Sequence, residues 1–275
     1  MDDCQCHTWY NSYGTQSEND AEQYVSWFIF GITSLNLLYY IWNIFRATAG
    51  WEEIFVCIIE GFAAAVSAWP QLSNPYTIYL STGQRVQWIR YFEWLMTCPV
   101  ILIHLSNLTG MKHHYPLRTM TLIVSDISCI VTGVQCALSN GYAKIIWFLV
   151  SCAFGLVTYF SAFKTYKEAY ALVPDLISKR IVLTMATIFF VSWTGYPLLF
   201  ALGPEGFQQI SYYAMNIGYC LNDMFSKNIW GLLGHTLRIR AFNNSKDGWV
   251  VPRSSSSVGG SGKDMTADQQ VWVAG

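Results

Sequence analysis

Asp223-Met224-Phe225-Ser226-Lys227-Asn228-Ile229-Trp230-Gly231-Leu232-Leu233-Gly234-His235 sets a carboxylate and an amine inside an otherwise apolar run. The run covers 210–233 and is long enough to cross a bilayer core of about 30 Å as a helix. A charge at mid-membrane costs ~2.5–3.5 kcal/mol on insertion scales. Asp223 and Lys227 are four residues apart, so they share a helix face. Two readings stand open. The pair is a buried ion pair, or the amine forms a Schiff base with a carbonyl cofactor and Asp223 balances the charge of the imine.

Six more apolar stretches precede this one, at 24–45, 54–73, 87–107, 119–138, 145–163 and 181–202. Those at 54–73 and 87–107 also contain charged residues. The links are short and carry turn residues such as Asn140-Gly141 and Gly203-Pro204. Composition agrees with a membrane protein. The 275 residues are 53% hydrophobic and 12% charged, whereas a soluble domain is roughly 25% charged. A net charge of -1 excludes a basic nucleic-acid binder. The expected fold is an all-α membrane protein, a seven-helix bundle over 23–241. An extracellular segment (1–22) precedes it and a flexible cytoplasmic tail or linker (242–275) follows. No secretory signal is expected, because the first 20 residues are polar.

Basic residues set the orientation. Arg46, Lys112, Arg118, Lys164, Lys167, Lys179, Arg180, Arg238 and Arg240 follow odd-numbered spans. The N-terminus is therefore expected outside and the C-terminus inside. Six cysteines lie in spans, where small apolar packing is their ordinary role. Cys4 and Cys6 lie in the extracellular segment, where disulfides persist. They are free thiols or bridges to a second chain.

Other ionisable groups lie within the spans. Arg90, Glu93 and Thr97 stand three and four residues apart in the third span. Either Arg90 and Glu93 pair near the outer surface, or Glu93 is a second counterion. Glu53, Glu60 and Ser67 recur every seven residues in the second span, on one stripe. Glu60 is a buried protonated acid or part of a wet pathway. Asp126 has no charge partner nearby in sequence, and a hydrogen bond across helices is expected for it. His104 is a proton-relay group or an interfacial histidine.

The lysine and Asp223 of the seventh span, with Arg-x-x-Glu-x-x-x-Thr in the third, resemble the microbial rhodopsins. Longer strings narrow the likeness. Arg85-Val86-Gln87-Trp88-Ile89-Arg90-Tyr91-Phe92-Glu93-Trp94, Thr97-Cys98-Pro99-Val100-Ile101-Leu102-Ile103-His104-Leu105-Ser106-Asn107 and the opening string resemble green-algal channelrhodopsins, as do Gly50-Trp51-Glu52-Glu53 and Gly203-Pro204-Glu205-Gly206-Phe207. The resemblance implies a light-gated channel with all-trans retinal on Lys227 and counterions Glu93 and Asp223. It implies a retinal pocket of Trp94, Thr97, Cys98, Cys129, Trp193, Tyr196, Ser226 and Trp230. It makes Cys98 and Asp126 a coupled pair that sets the closing rate. It assigns Thr33, Glu60 and Asn228 to a central gate, and Tyr40, Glu52, Glu53, His104 and Arg238 to an inner gate. It makes Cys4 and Cys6 the intersubunit bridges of a homodimer in the plasma membrane.

The chain departs from that pattern in its outer half. Ser67 and Gln71 stand where the glutamate stripe continues in cation-conducting members, Ala63 replaces a usual lysine, and Tyr219 replaces a common histidine. Fewer acids weaken the preference for cations. Glu93, Glu52 and Glu53 still favour a cation channel over an anion channel. A proton pump needs an internal donor eleven residues past Glu93, and that position is His104, not a carboxylate. A signalling photoreceptor and a transporter with a buried Lys–Asp pair complete the alternatives. No enzyme and no metal site are expected.

Overall fold

The computed structural model describes residues 14–45, 50–69, 77–79, 85–109, 115–173 and 175–246. Cys4, Cys6, Arg46, Gln71 and nearly all of the 242–275 tail lie outside the described residues. Seven helices account for most of them. They are α1 (Gln16–Ile44), α2 (Trp51–Ala68), α3 (Trp88–Asn107), α4 (Tyr115–Leu138), α5 (Gly141–Leu172), α6 (Leu176–Leu202) and α7. Helix α7 is built of Tyr212–Asp223, a π-helical turn Met224–Ile229 and Trp230–Lys246. Each helix packs on its sequence neighbours, and α1 packs on α7, so the ring closes in chain order.

Local chemistry sets the helix ends. Thr15 and Glu18 form a reciprocal capping box at α1. Glu52 and Glu53 lie in the first turn of α2, where the helix dipole favours carboxylates. The second apolar stretch was expected to remain helical to residue 73, but α2 ends at Ala68. Trp69 is extended (φ −109°, ψ 101°) because Pro70 follows, and a residue before proline avoids the helical region. The third span was expected to begin at Gln87. Instead Gln87 ends a two-stranded hairpin, β1 (Thr77–Tyr79) paired antiparallel with β2 (Arg85–Gln87), Ile78 opposite Val86. Most helices extend past their apolar stretches, α5 to 32 residues.

The distribution of polarity is inverted relative to a soluble protein. In α5 only 11% of the most apolar window is buried in the protein. Leu35, Phe160, Leu183 and Val191 are exposed, whereas Glu60, Glu93, Asp126, Asp223 and Lys227 are buried. Such a surface is solvated by lipid. Helices α1, α4, α5 and α6 are apolar enough to cross a membrane by composition. Helices α2, α3 and α7 carry most of the buried charges, with Glu22 on α1 and Asp126 on α4. On α1 the buried positions are Glu22, Ser26, Ile29, Thr33, Asn36, Tyr40 and Asn43, a largely polar stripe with steps of four and three.

Candidate functional site

The amine of Lys227 lies at the centre of the bundle, with its side chain 1% exposed. It contacts Glu93 Oε1 of α3 and stands 2.6 Å from Asp223 Oδ1 of α7. Arg90 Nη1 reaches Asp223 Oδ2 at 3.0 Å and Nη2 reaches Cys220 Sγ at 3.0 Å. Of the two readings of Arg90, the Glu93 partnership is not formed; the guanidinium crosses to α7. The four side chains make a charge-balanced quartet, two cations and two anions, which is the arrangement that low dielectric tolerates. Tyr196 donates to Asp223 Oδ1 at 2.6 Å and contacts Ser226 Oγ at 2.8 Å. The Thr97 hydroxyl is used locally, donating to the Glu93 carbonyl at 2.8 Å.

The π-helical turn carries this site. It lets three consecutive residues, Ser226, Lys227 and Asn228, all be buried on the inner side. Such turns concentrate at functional sites.

Two aromatic residues reach the site, Tyr196 through its bond to Asp223 and Trp230 through the cavity it lines with Lys227, and further rings pack on them or near them. Trp94 meets Tyr196 and Tyr219 edge-on at 5.2 and 5.1 Å. Trp193 stacks on Phe189 at 4.3 Å, and Trp230 Nε1 donates to Tyr166 at 2.8 Å. Cys129 Sγ lies 3.4 Å from Ser151 Oγ. Cys98 is within electrostatic reach of Asp126, but no hydrogen bond joins them. The bond across helices expected for Asp126 is absent for its Oδ2, which has no partner. Its neighbour Cys98 offers only a thiol, a weak donor.

Below the lysine, Asn228 of α7 joins three helices. Its amide donates to Glu60 Oε1 of α2 at 2.6 Å and to Thr33 Oγ1 of α1 at 3.1 Å. Asn36 of α1 donates to Asn228 Oδ1 at 2.7 Å. Asn36 was not singled out from the sequence, although it lies three residues past Thr33 on the polar stripe of α1.

Toward the end of α7, Arg238 Nη1 donates to Glu53 Oε2 at 3.1 Å and Nη2 lies 3.5 Å from Glu52. His104 Nδ1 is 3.7 Å from Glu53 Oε1. A cavity connects this cluster to the lysine, lined among others by Tyr40, Glu52, Glu53, His104, Lys227 and Trp230. It has room for about one water molecule.

At the other end of the bundle, the loop after α6 tucks Glu205 into the protein, 3% exposed. Tyr91 donates to its carboxylate, and Lys144 Nζ donates to its backbone carbonyl at 2.6 Å. Burial pushes the Glu205 carboxyl up to about 7. Its placement depends on loop packing that no periodicity reports.

A closed seven-helix ring with an apolar exterior and a buried lysine between two carboxylates defines an integral membrane protein with a central ligand or ion site. Residues 20–241 match the family of bacteriorhodopsin-like proteins. The chain is similar to the red light-activated channelrhodopsin Chrimson, with 39% identity and a TM-score of 0.82 over 91% of this chain and 87% of that one. It is 27% identical over 224 residues to halorhodopsin of Halobacterium sp. (strain SG1), covering 75% of each. It shares its fold with cyanorhodopsin of Calothrix sp. NIES-2098, with a TM-score of 0.68 at 22% identity over 78% of this chain and 94% of that one. The chain belongs to the bacteriorhodopsin-like family of microbial rhodopsins and is similar to its channelrhodopsin type. Microbial rhodopsins bind retinal, and the residues here fit it: a buried primary amine, paired acids to balance its charge, and Tyr196 on Asp223 with Trp94 packed against it.

Proposed function

We propose that the protein is a light-gated cation channel with all-trans retinal as its chromophore. Bound to Lys227 as a Schiff base, retinal supplies the light-driven change of shape. Glu93 and Asp223 balance the charge there, and Arg90 and Tyr196 hold Asp223 in place. Trp94, Thr97, Cys98, Cys129, Trp193, Ser226 and Trp230 form the pocket, and Cys98 with Asp126 sets the closing rate. Asn228 with Thr33 and Glu60 closes the centre of the path, and Arg238 with Glu52, Glu53, His104 and Tyr40 closes its inner end. The N-terminus faces outside and the C-terminus inside, in the plasma membrane. Cys4 and Cys6 bridge two subunits of a homodimer.

One observation carries the reading. Buried polar groups form a line from Arg90 through Lys227 and Asn228 to Arg238, flanked by α1, α2 and α3, with a water-sized cavity between lysine and inner cluster. An ion path in lipid needs such a line, because apolar walls give an ion nothing to replace its water. The likeness to a channelrhodopsin structure supports it. Halorhodopsin, described as a light-driven chloride pump in one solved structure, is the specific alternative. Against a proton pump stands His104, where such a pump would carry a carboxylate donor; against a chloride pump stands Glu93, whose carboxylate contacts the lysine amine that an anion would need.

Voltage clamp of cells supplied with retinal tests the reading. The expected light-evoked current reverses sign with voltage, and the reversal shifts when sodium is exchanged for a bulky cation. A current of one sign at every voltage overturns the reading in favour of a pump. A shift on chloride exchange alone overturns the cation assignment. A Lys227→Ala variant is expected to lack a visible absorption band.

A further inference from the structure

His235 is fully buried, and neither of its ring nitrogens has a hydrogen-bond partner. Buried polar groups in folded proteins are nearly always paired, so an orphan needs a reason. The ring is held between two tyrosines of α1. Tyr39 and Tyr40 each meet it edge-on with centroids 5.4 Å away. The Tyr40 hydroxyl is itself buried and unpaired. Tyr40 and Gly231, one turn before His235, line the cavity that reaches Lys227.

The second imidazole of this region lies on another side of α7. A Cβ added at Gly234 would stand 2.7 Å from His104 Nε2, so His104 packs directly on the α7 backbone. His104 turns its other nitrogen toward Glu53, 3.7 Å away. The charged and titratable groups around His235 are therefore Tyr39 and Tyr40 from α1, His104 from α3, and Arg238 on α7 itself. Glu52 and Glu53 of α2 hold Arg238.

We infer that His235, with Tyr40, forms a proton branch of the conduction path, beside the Glu52–Glu53–His104–Arg238 cluster that larger cations must pass. The inference rests on the channel reading above. An imidazole relays a proton without net change. One ring nitrogen accepts a proton from a water on the cavity side, and the other releases its own to a water on the inner side. Exchange of the two tautomers then restores the ring. The role requires two unpaired nitrogens and a neighbouring hydroxyl that both donates and accepts. A sodium ion cannot use this route, because two tyrosine rings close on the imidazole.

The test measures the proton-to-sodium permeability ratio from reversal potentials at two internal pH values. His235→Phe keeps a ring between the tyrosines and removes both nitrogens. Its ratio is expected to fall at least about threefold below the wild type. His235→Gln, which hydrogen-bonds but does not titrate near neutral pH, is expected to fall likewise, and Tyr40→Phe to lower the ratio in the same direction. An unchanged ratio in His235→Phe overturns the inference. So does a wild-type ratio in His235→Gln, which marks a hydrogen-bonding role in packing. If the Phe variant shows no visible band, the Gln variant decides. Failure of the channel reading looks different: the wild-type current itself does not reverse.

Discussion

Arg90, Asp223, Lys227 and Glu93 form one chain of ion pairs in that order, and their formal charges cancel. Asp223 touches both cations, so its loss leaves one positive charge without balance in a buried place. Asp223→Asn is expected to destabilise the retinal-free protein by about 3–5 kcal/mol. Adding Arg90→Gln is expected to recover much of that loss, since one cation then faces one anion. Denaturation of the two single variants and the double variant measures the coupling, and simple additivity would refute it. The lysine and Asp223 were legible in the sequence because four residues separate them on one helix. The partner of Arg90 was not, since the choice between Glu93 and Asp223 depends on how α3 meets α7. Glu205 is a second residue that only the fold reveals. Its carboxyl rises from an ordinary 4.5 to about 7 through burial. The folded state thus holds the proton more tightly than the unfolded chain. The stabilisation is complete below about 4.5 and is lost as pH rises toward 7. Glu205→Gln does not titrate, so it is expected to gain on the wild type by roughly 1–3 kcal/mol across that window. Thermal unfolding at pH 4.5 and 7.5 checks this, and equal differences at both values would disprove it.

Helices show a different limit of sequence reading. The α1 stripe of Glu22, Ser26, Thr33, Asn36, Tyr40 and Asn43 is regular, but its polar side faces inward. Membrane helices invert the usual rule, so the apolar positions of α1 marked lipid, not core. The excess length of α5 was hidden for a related reason. At 1.5 Å per residue its 32 residues span about 48 Å, so the helix continues beyond the hydrocarbon as Lys164, Lys167 and Glu168. The π-helical turn left no trace in periodicity, because Met224–Ile229 contains ordinary helix formers. Helix ends, by contrast, follow legible chemistry. Asp175 caps α6, accepting from Ser178 N at 3.0 Å, and pairs with Arg240 at 2.9 Å. The Ser178 hydroxyl and N–H hold its carboxyl down at about 2, against an ordinary 3.8. This depressed value stabilises the fold above about pH 4 and is lost as pH falls toward 2. Asp175→Ala is expected to cost about 1 kcal/mol at neutral pH, a capping value with little added by the exposed ion pair. The cost should vanish near pH 2, and thermal melts at the two pH values measure it. An equal deficit at both would assign the loss to packing.

Across the molecule, an apolar outer surface encloses one polar line, and the line is tied across three helices at Asn228. Four side chains from three helices meet there: Thr33 and Asn36 of α1, Glu60 of α2 and Asn228 of α7. The sequence shows Glu60 as a lone acid and Asn228 as the residue after the lysine. It does not show that they touch, because 168 positions separate them. Closure of the seven-helix ring brings both α1 and α2 against the Met224–Ile229 turn of α7 and makes the contact. Asn228 is thus the point where movement of the lysine, one residue away, meets both α1 and α2. Asn228→Ala removes three hydrogen bonds at once and leaves the Glu60 carboxyl buried without its donor. A buried group in that state recruits water when space allows, and the shortened side chain provides the space. The path is then wetted through its centre before any light arrives. The variant is expected to carry a dark conductance above that of the wild type, of the same ion preference as its light-evoked current. Whole-cell recordings in darkness, with the pigment verified by its visible band, test this. A variant as silent in the dark as the wild type would show that the inner cluster around Arg238 alone holds the path shut.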